Sequence, residues 1–393
     1  MAARAPRSRC ERTGSKGPFS SSSEGRTAPI SAPPLSKEYL SGEQSFESLL
    51  ICPDQFWKEQ NVKLLLGKAV IRINPADKVL TQSDGTEVGY NHLVWAAGGD
   101  SRPLPYDGAQ FRGVHIIRTR SDIDRLVGEL DHRAKRVAVI GGGYIALESA
   151  AAMIKRGCSV VLLETEPRVL SSAAGNQVSQ YYQAKHRARG VDLRTDVLIG
   201  GLEGDEGRFC GIRMSDGSVL AADLAIFDIG IAPNVGPLLA AGAIGVAGGE
   251  GVLVDENCRT SLLDIYALGD CAAYASEYAE GEVIRLESVQ NADDMAIAAA
   301  RSICGKPEPY TSPPCFWSRQ YDLELQSVGL SAYQDMSMLT GNPADQSFSV
   351  IYLRGGRLIA IDCVNSPEAF EKSKALVAAR TVVAPPPPYP VKP

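Results

Sequence analysis

The nine cysteines of this 393-residue sequence include no C-x-x-C pair, and its four histidines (92, 115, 132 and 186) show no ligand spacing. Neither a zinc ribbon nor a thioredoxin-type couple is therefore on offer, and no metal site is expected. Scattered cysteines, odd in number, fit reduced thiols in a cytoplasmic protein better than a disulfide framework. No apolar run approaches the roughly 18 residues that crossing a bilayer requires. Positive charge is not in surplus either: 40 Lys and Arg against 46 Asp and Glu leave a net charge of −6. That balance argues against a general nucleic-acid or anionic-membrane surface. What remains is a soluble protein whose 44% hydrophobic content and 38 glycines are ordinary for an α/β fold.

Beyond residue 34 the chain is orderly. "VKLLLGKAVIRIN" and "KVLTQSDGTEV" read as strands, the second with a D-G turn, and "HLVWAAGG" reads as a buried strand ending in small residues. An amphipathic helix is expected over 121–133, opened by Ser121 and Asp122. "DLAIFDIGIAPN" and "IYALGDCA" lead into a helix, "ESVQNADDMAIAAARSICG". A hairpin turning on R-G-G-R, a last helix and a proline-rich tail complete the chain.

The strongest local signal is "RVAVIGGGYIALESAAAMIKRGCSVVLLE", a strand, a glycine turn, a helix and a strand. Gly141, Gly143 and Ala146 fill G-x-G-x-x-G/A. The first makes the tight turn, the second lets backbone approach a pyrophosphate, and the third lets helix and strand pack closely. Glu164 follows Gly141 by 23 residues, at the end of the next strand. An acid there accepts from a ribose 2′-OH and repels a 2′-phosphate, so NADH is expected over NADPH. Downstream, Gly269-Asp270 follows a short apolar strand. Taken alone it is a weak signal, because G-D is a common dipeptide that reads first as a turn and only second as a carboxylate for a flavin ribityl hydroxyl.

In order and spacing, "PPLSKEYL", "GGGYIALE", "HRARGVDLRT", "IGIAPN", "YALGDCA", "RLESVQNADDMA" and "FWSRQYDLELQSVGL" resemble the NADH-dependent ferredoxin reductases of the rhodocoxin reductase and putidaredoxin reductase type. The resemblance runs from Pro33 to about Val383. It implies an α/β fold with two three-layer Rossmann-like nucleotide-binding domains and a C-terminal α+β domain. It also implies FAD, NADH and a [2Fe–2S] ferredoxin that serves a cytochrome P450 or a ring-hydroxylating oxygenase. By this resemblance the FAD-binding domain takes 35–113 and 235–307, the NAD-binding domain 114–234, and the reductase domain 308–393. Lys37, Val70, Arg118, Asp270 and Val289 are expected to contact FAD. Gly141, Gly143, Tyr144, Ile145, Glu164 and Gly230 are expected to contact the dinucleotide. The expected catalytic residues are Lys37 paired with Glu148 beside the flavin, and Trp317 near the flavin and the docking surface. Three positions depart from the family pattern: Ala97 for Thr, Cys315 for Trp and Arg319 for Asp. Arg319 is the candidate for a local basic docking patch.

Residues 1–34 fit this picture poorly. Six basic residues against two acidic ones suggest a transit peptide, but the acids and prolines count against it. No glycine motif precedes Lys37. Degenerate codons for Ala28 to Ala32 can be read in a shifted frame as Thr-Tyr-Gln-Arg, close to the family's approach to the proline pair. A non-native, frame-shifted segment over 1–34 is therefore expected. Two alternatives stay open. One is a FAD-less, catalytically dead dinucleotide-binding protein; the other is a flavin disulfide or peroxide reductase using Cys52.

Overall fold

The computed structural model describes residues 19–23, 25, 27–130 and 135–383. The expectation for 1–34 thus lies largely outside the described residues, as do the proline tail and the last residues of the helix expected over 121–133.

Strand β1 (Phe19–Ser23) runs parallel to β2 (Val62–Leu66) as a two-stranded ribbon. Between them come the one-turn helix α1 (Glu38–Ser41) and α2 (Asp54–Glu59). β3 (Val70–Asn74), β4 (Val79–Gln82) and β5 (Glu87–Gly89) form an antiparallel sheet, followed by β6 (Leu93–Trp95) and β7 (Gly99–Ser101).

The next unit is doubly wound. It contains β8 (Val114–Ile116), α3 (Arg120–Leu130), β9 (Arg136–Ile140), α4 (Tyr144–Lys155), β10 (Ser159–Leu163), α5 (Asn176–Ala188) and β11 (Asp192–Arg194). An antiparallel sheet of β12 (Ile199–Asp205), β13 (Arg208–Met214) and β14 (Val219–Ala221) is inserted before β15 (Leu224–Phe227). Five parallel strands lie in the order β11-β10-β9-β15-β8. Val137, Ala138 and Val139 of β9 are wholly buried, as befits a parallel strand covered on both faces. Contrary to expectation, Thr119 opens α3. Its hydroxyl accepts from the Asp122 amide at 3.3 Å, and Asp122 accepts from the Thr119 amide at 2.8 Å. This reciprocal box outcompetes Ser121 as the cap.

β16 (Ile231–Pro233) pairs with β7 and returns the chain to the first unit. The rest of that unit comprises α6 (Gly236–Ala240), β17 (Val252–Leu253), β18 (Ile265–Ala267), β19 (Ala272–Ala275), β20 (Val283–Arg285) and α7 (Val289–Ile303). β18 runs parallel to β6 as a second two-stranded ribbon, which among the described residues no ladder joins to the β1–β2 ribbon.

The last unit is an antiparallel sheet in the order β21-β22-β25-β24-β23, with α8 packed on it. Its elements are β21 (Cys315–Gln320), β22 (Leu323–Gly329), β23 (Met336–Asn342), β24 (Ser347–Arg354), β25 (Arg357–Val364) and α8 (Pro367–Ala378). One core cluster joins Leu35 and Leu40 to Leu126, Leu147 and Leu162 and onward to Leu325, Phe348 and Tyr352. Polar bonds cross the same seam. The buried His186 Nε2 pairs with Gln320 Oε1 at 2.8 Å, and the Gly175 amide donates to the Tyr352 hydroxyl at 3.1 Å.

Candidate active site

The turn from β9 into α4 is held tightly. Gly141 has φ +118°, and a Cβ there would collide with the Asp228 carbonyl oxygen, so only glycine fits. Gly143 caps α4 with extended backbone and no side chain of its own, and of the first-turn amides that of Ala146 is taken by Asp228 Oδ2 at 3.0 Å. The helix then turns Ala146, Leu147, Ala150 and Ala151 inward, and Glu148 is buried with them.

Glu148 is the focus of the site. Lys37 Nζ lies 2.8 Å from Glu148 Oε2, with the two side chains only 10% and 3% exposed. The Ser36 hydroxyl donates to Oε2 at 2.6 Å, and the Ser318 hydroxyl to Oε1 at 2.5 Å. Burial pushes the Glu148 carboxyl up, while Lys37 and the two serines pull it back. Lys37 also donates to the Pro33 carbonyl at 3.0 Å, which anchors the turn of Pro33–Ser36. Its ammonium stands 5.0 Å from the centre of the Trp317 ring, a cation–π arrangement. Trp317 is 40% exposed, so it is a rim residue and not the core residue that its apolar character alone would suggest.

Ser36, Lys37, Glu148 and Trp317 line one cavity of about 2260 Å³. That exceeds the roughly 300–1,000 Å³ of an ordinary ligand pocket. Arg118 lies 3.6 Å from Asp270 across it and donates to the Gly99 carbonyl at 2.8 Å. Burial pushes the Asp270 carboxyl up against the pull of Arg118. Arg285 braces the same turn by donating to the Asp270 carbonyl at 2.9 Å. Val70, Val289, Gly143, Tyr144, Ile145 and Gly230 also line the cavity, whereas Gly141 and Glu164 do not. Glu164 instead sits against the glycine turn. Its side chain fills the space that a Cβ on Gly142 would need, and its Oε1 accepts from the Glu166 amide at 2.8 Å.

The residues present suit a flavin at this end of the cavity. A cation is held by a buried carboxylate, an Arg–Asp pair flanks the small-residue turn at Gly98 and Gly99, and an indole sits at the rim. Among the described residues, however, the one glycine turn from strand into helix is that at 140–144. Among the described residues no second such turn precedes Lys37.

The sequence reading missed Ser36, Ser318 and Asp228. The two serines sit inside motifs it had singled out, next to Lys37 and Trp317, so adjacency was the signal. Arg319 is less free than expected: it faces Glu38 at 3.6 Å and Glu324 at 3.8 Å, which offset its charge. Cys52 packs against Trp57 and Val62, away from the cavity. Cys315 does line the cavity, but burial pushes its thiol up to about 11, so it is no ready thiolate.

Residues 13–296 match the pyridine nucleotide-disulphide oxidoreductase family, and residues 315–387 match the reductase C-terminal family. A ferredoxin–NAD(P)(+) reductase of Sphingomonas sp. is 46% identical over 93% of this chain and 88% of its own length. Putidaredoxin reductase of Pseudomonas putida is 39% identical over 91% of this chain and 85% of its own. The crystal structure of the covalent putidaredoxin reductase–putidaredoxin complex superposes with a TM-score of 0.92 at 36% identity, covering 98% of this chain and 92% of that one. A ferredoxin reductase from Rhodopseudomonas palustris gives a TM-score of 0.93 at 32% identity over 98% and 93%.

Proposed function

This chain belongs to the pyridine nucleotide-disulphide oxidoreductase family, and from that premise we propose that it is an NADH-dependent ferredoxin reductase. It carries electrons from NADH to a [2Fe–2S] ferredoxin serving a cytochrome P450 or a ring-hydroxylating oxygenase. Among the described residues no helix is long and apolar enough to cross a membrane, and we place the enzyme in the cytoplasm. The observation that carries the reading is the convergence of Lys37, Glu148, Arg118, Asp270 and Trp317, from all three units of the fold, on one cavity.

Bound there, FAD would supply the conversion between the two-electron chemistry of NADH and the one-electron chemistry of a [2Fe–2S] centre. The chain's own residues prepare for that exchange. Lys37, fixed by Glu148 and the Pro33 carbonyl, offers a preorganised positive charge where negative charge develops. Ser36 and Ser318 hold the Glu148 carboxylate so that Lys37 cannot swing away. Asp270 and Arg118 would take the ribityl and pyrophosphate part, and Val70 and Val289 would close apolar walls. Glu164 would accept from the adenosine ribose of NADH. Trp317, half-exposed beside Lys37, would stand between the flavin and the ferredoxin.

A second reading, a FAD-less dinucleotide-binding protein, is favoured by one observation. Among the described residues the β1–β2 and β6–β18 ribbons stand as separate pairs, where a nucleotide-binding sheet would be continuous. The visible spectrum of the purified chain separates the two. Flavin absorbance with NADH-driven ferredoxin reduction supports the reductase. A colourless protein that binds NADH supports the alternative, and with it the displaced reading frame over 1–34.

A further inference from the structure

Asp228 is the first residue after β15, at the carboxyl end of the strand that neighbours β9. Its amide donates to the Ile140 carbonyl at 2.9 Å, and its Oδ2 accepts from the Ala146 amide at 3.0 Å. Ala146 lies in the first turn of α4. The carboxylate therefore already occupies one of the donors that a helix start leaves without an internal partner. The same oxygen lies 3.0 Å from the place a Cβ on Gly143 would take. Asp228 is thus packed beneath the glycine turn that a dinucleotide pyrophosphate must approach.

We propose that Asp228 gates the dinucleotide site. As a carboxylate it competes with the pyrophosphate for the positive end of α4; once protonated it yields that place. The inference rests on the NADH-binding reading above and adds to it a residue and a proton.

The charged groups facing Asp228 come from four elements. Glu148 is on α4, Glu164 follows β10, Glu287 precedes α7, and Arg118, after β8, lines the small pocket that Asp228 also lines. Burial, with the three acids adding to it, pushes the Asp228 carboxyl up to about 6, and the Ala146 amide pulls it down. A pyrophosphate arriving at the same helix end is a further like charge and raises it again. Binding therefore takes up a proton. By linkage, affinity rises as the pH falls towards about 6, and it levels off below that, where the carboxyl is already neutral before binding. Each pKa unit that binding adds corresponds to about a tenfold change in Kd.

The test measures Kd for NAD⁺ and for ADP-ribose by calorimetry on the full chain, at about pH 5.5 and about pH 8, with Asp228→Asn and Asp228→Gly alongside. ADP-ribose keeps the pyrophosphate and lacks the nicotinamide. The wild type should bind both ligands about tenfold more weakly at the higher pH. Both variants should be flat across the range and tight throughout. Asp228→Gly, without a side chain, serves if the asparagine perturbs folding, and circular dichroism checks each. A flat wild-type profile, a slope that survives in the variants, or a slope seen with NAD⁺ and not with ADP-ribose overturns the gate alone. Failure of wild type and variants to bind either ligand at any pH overturns the dinucleotide reading itself, and the gate falls with it.

Discussion

Replacing Lys37 by Met should expose what the buried pair with Glu148 is worth. Both side chains are almost fully enclosed, and removing one partner of a buried pair typically costs about 3–5 kcal/mol. Glu148 would keep the Ser36 and Ser318 hydroxyls, and hydrogen bonds to a charged group are worth about 1.5–3 kcal/mol each. The loss for Lys37→Met should therefore sit near the lower end, about 3 kcal/mol. Glu148→Gln should cost a similar amount, because it leaves the Lys37 ammonium without a charged partner, held by the Pro33 carbonyl and the Trp317 ring. The double variant, with no buried charge left, should be about 2 kcal/mol more stable than the sum of the single losses. The sign with pH follows from the Glu148 carboxyl, already raised by burial and raised further once Lys37 is gone. A folded-state pKa above the unfolded value gives stability that is present at low pH and lost as pH rises through the folded value. The cost of Lys37→Met should accordingly shrink on going from about pH 8 to about pH 5. Urea unfolding followed by tryptophan fluorescence reads this out, since Trp317 lies over Lys37. Single losses that add within about 0.5 kcal/mol, at both pH values, would show the pair to be energetically idle.

Glu164→Ala should weaken NADH binding by roughly tenfold to a hundredfold, the worth of a charge-assisted hydrogen bond, and relax discrimination against NADPH; equally tight NADPH binding by the unmutated chain would contradict the ribose assignment. His186, held neutral by burial, has its imidazole pushed down to about 4 despite the bond to Gln320. Below about pH 6.5 the unfolded chain binds a proton that the folded chain refuses, so stability should fall by about 3 kcal/mol on going to pH 4. His186→Gln should flatten that slope in a pH series of denaturation midpoints, and an unchanged slope would assign it to other groups. Arg319→Glu would set a third acid beside Glu38 and Glu324. It should raise the apparent KM for ferredoxin several-fold at low salt and leave turnover with ferricyanide as it was; an unmoved KM would mean that Arg319 serves only its pairs with Glu38 and Glu324.

The doubly wound unit was legible because its signals are local. An apolar strand, a glycine turn and an alanine-rich helix follow one another within 136–155, and the acid at 164 closes the pattern. The cap of α3 was misplaced by two residues because Thr119, Ser121 and Asp122 are all capable caps. Only the reciprocal bonds between Thr119 and Asp122 decide among them. Asp228 was not legible at all. It interrupts the apolar run "LAIFDIGIAPN" as an ordinary strand end would, and its meaning depends on the Ala146 amide, 82 residues earlier, brought beside it by the β9–β15 register.

The same holds for the surroundings of Glu148, and β21 shows why. Along this strand Ser318 and Gln320 are buried while Trp317 and Arg319 are exposed, the period-2 alternation of a sheet with one wet face. The alternation is visible in "CFWSRQYD" once the strand is assumed; the partners of each face are not. Ser318 reaches Glu148 across 170 residues and Gln320 reaches His186 across 134, so the inner face of β21 locks the last unit onto α4 and α5. The outer face carries the indole over Lys37 and the arginine beside Glu38. One strand thus fixes the carboxylate that holds Lys37 and presents the exposed rim proposed above to meet the ferredoxin. A change on its buried face that shifts the strand should for that reason disturb both the Lys37–Glu148 pair and the exposed rim, although Ser318 and Gln320 are themselves buried.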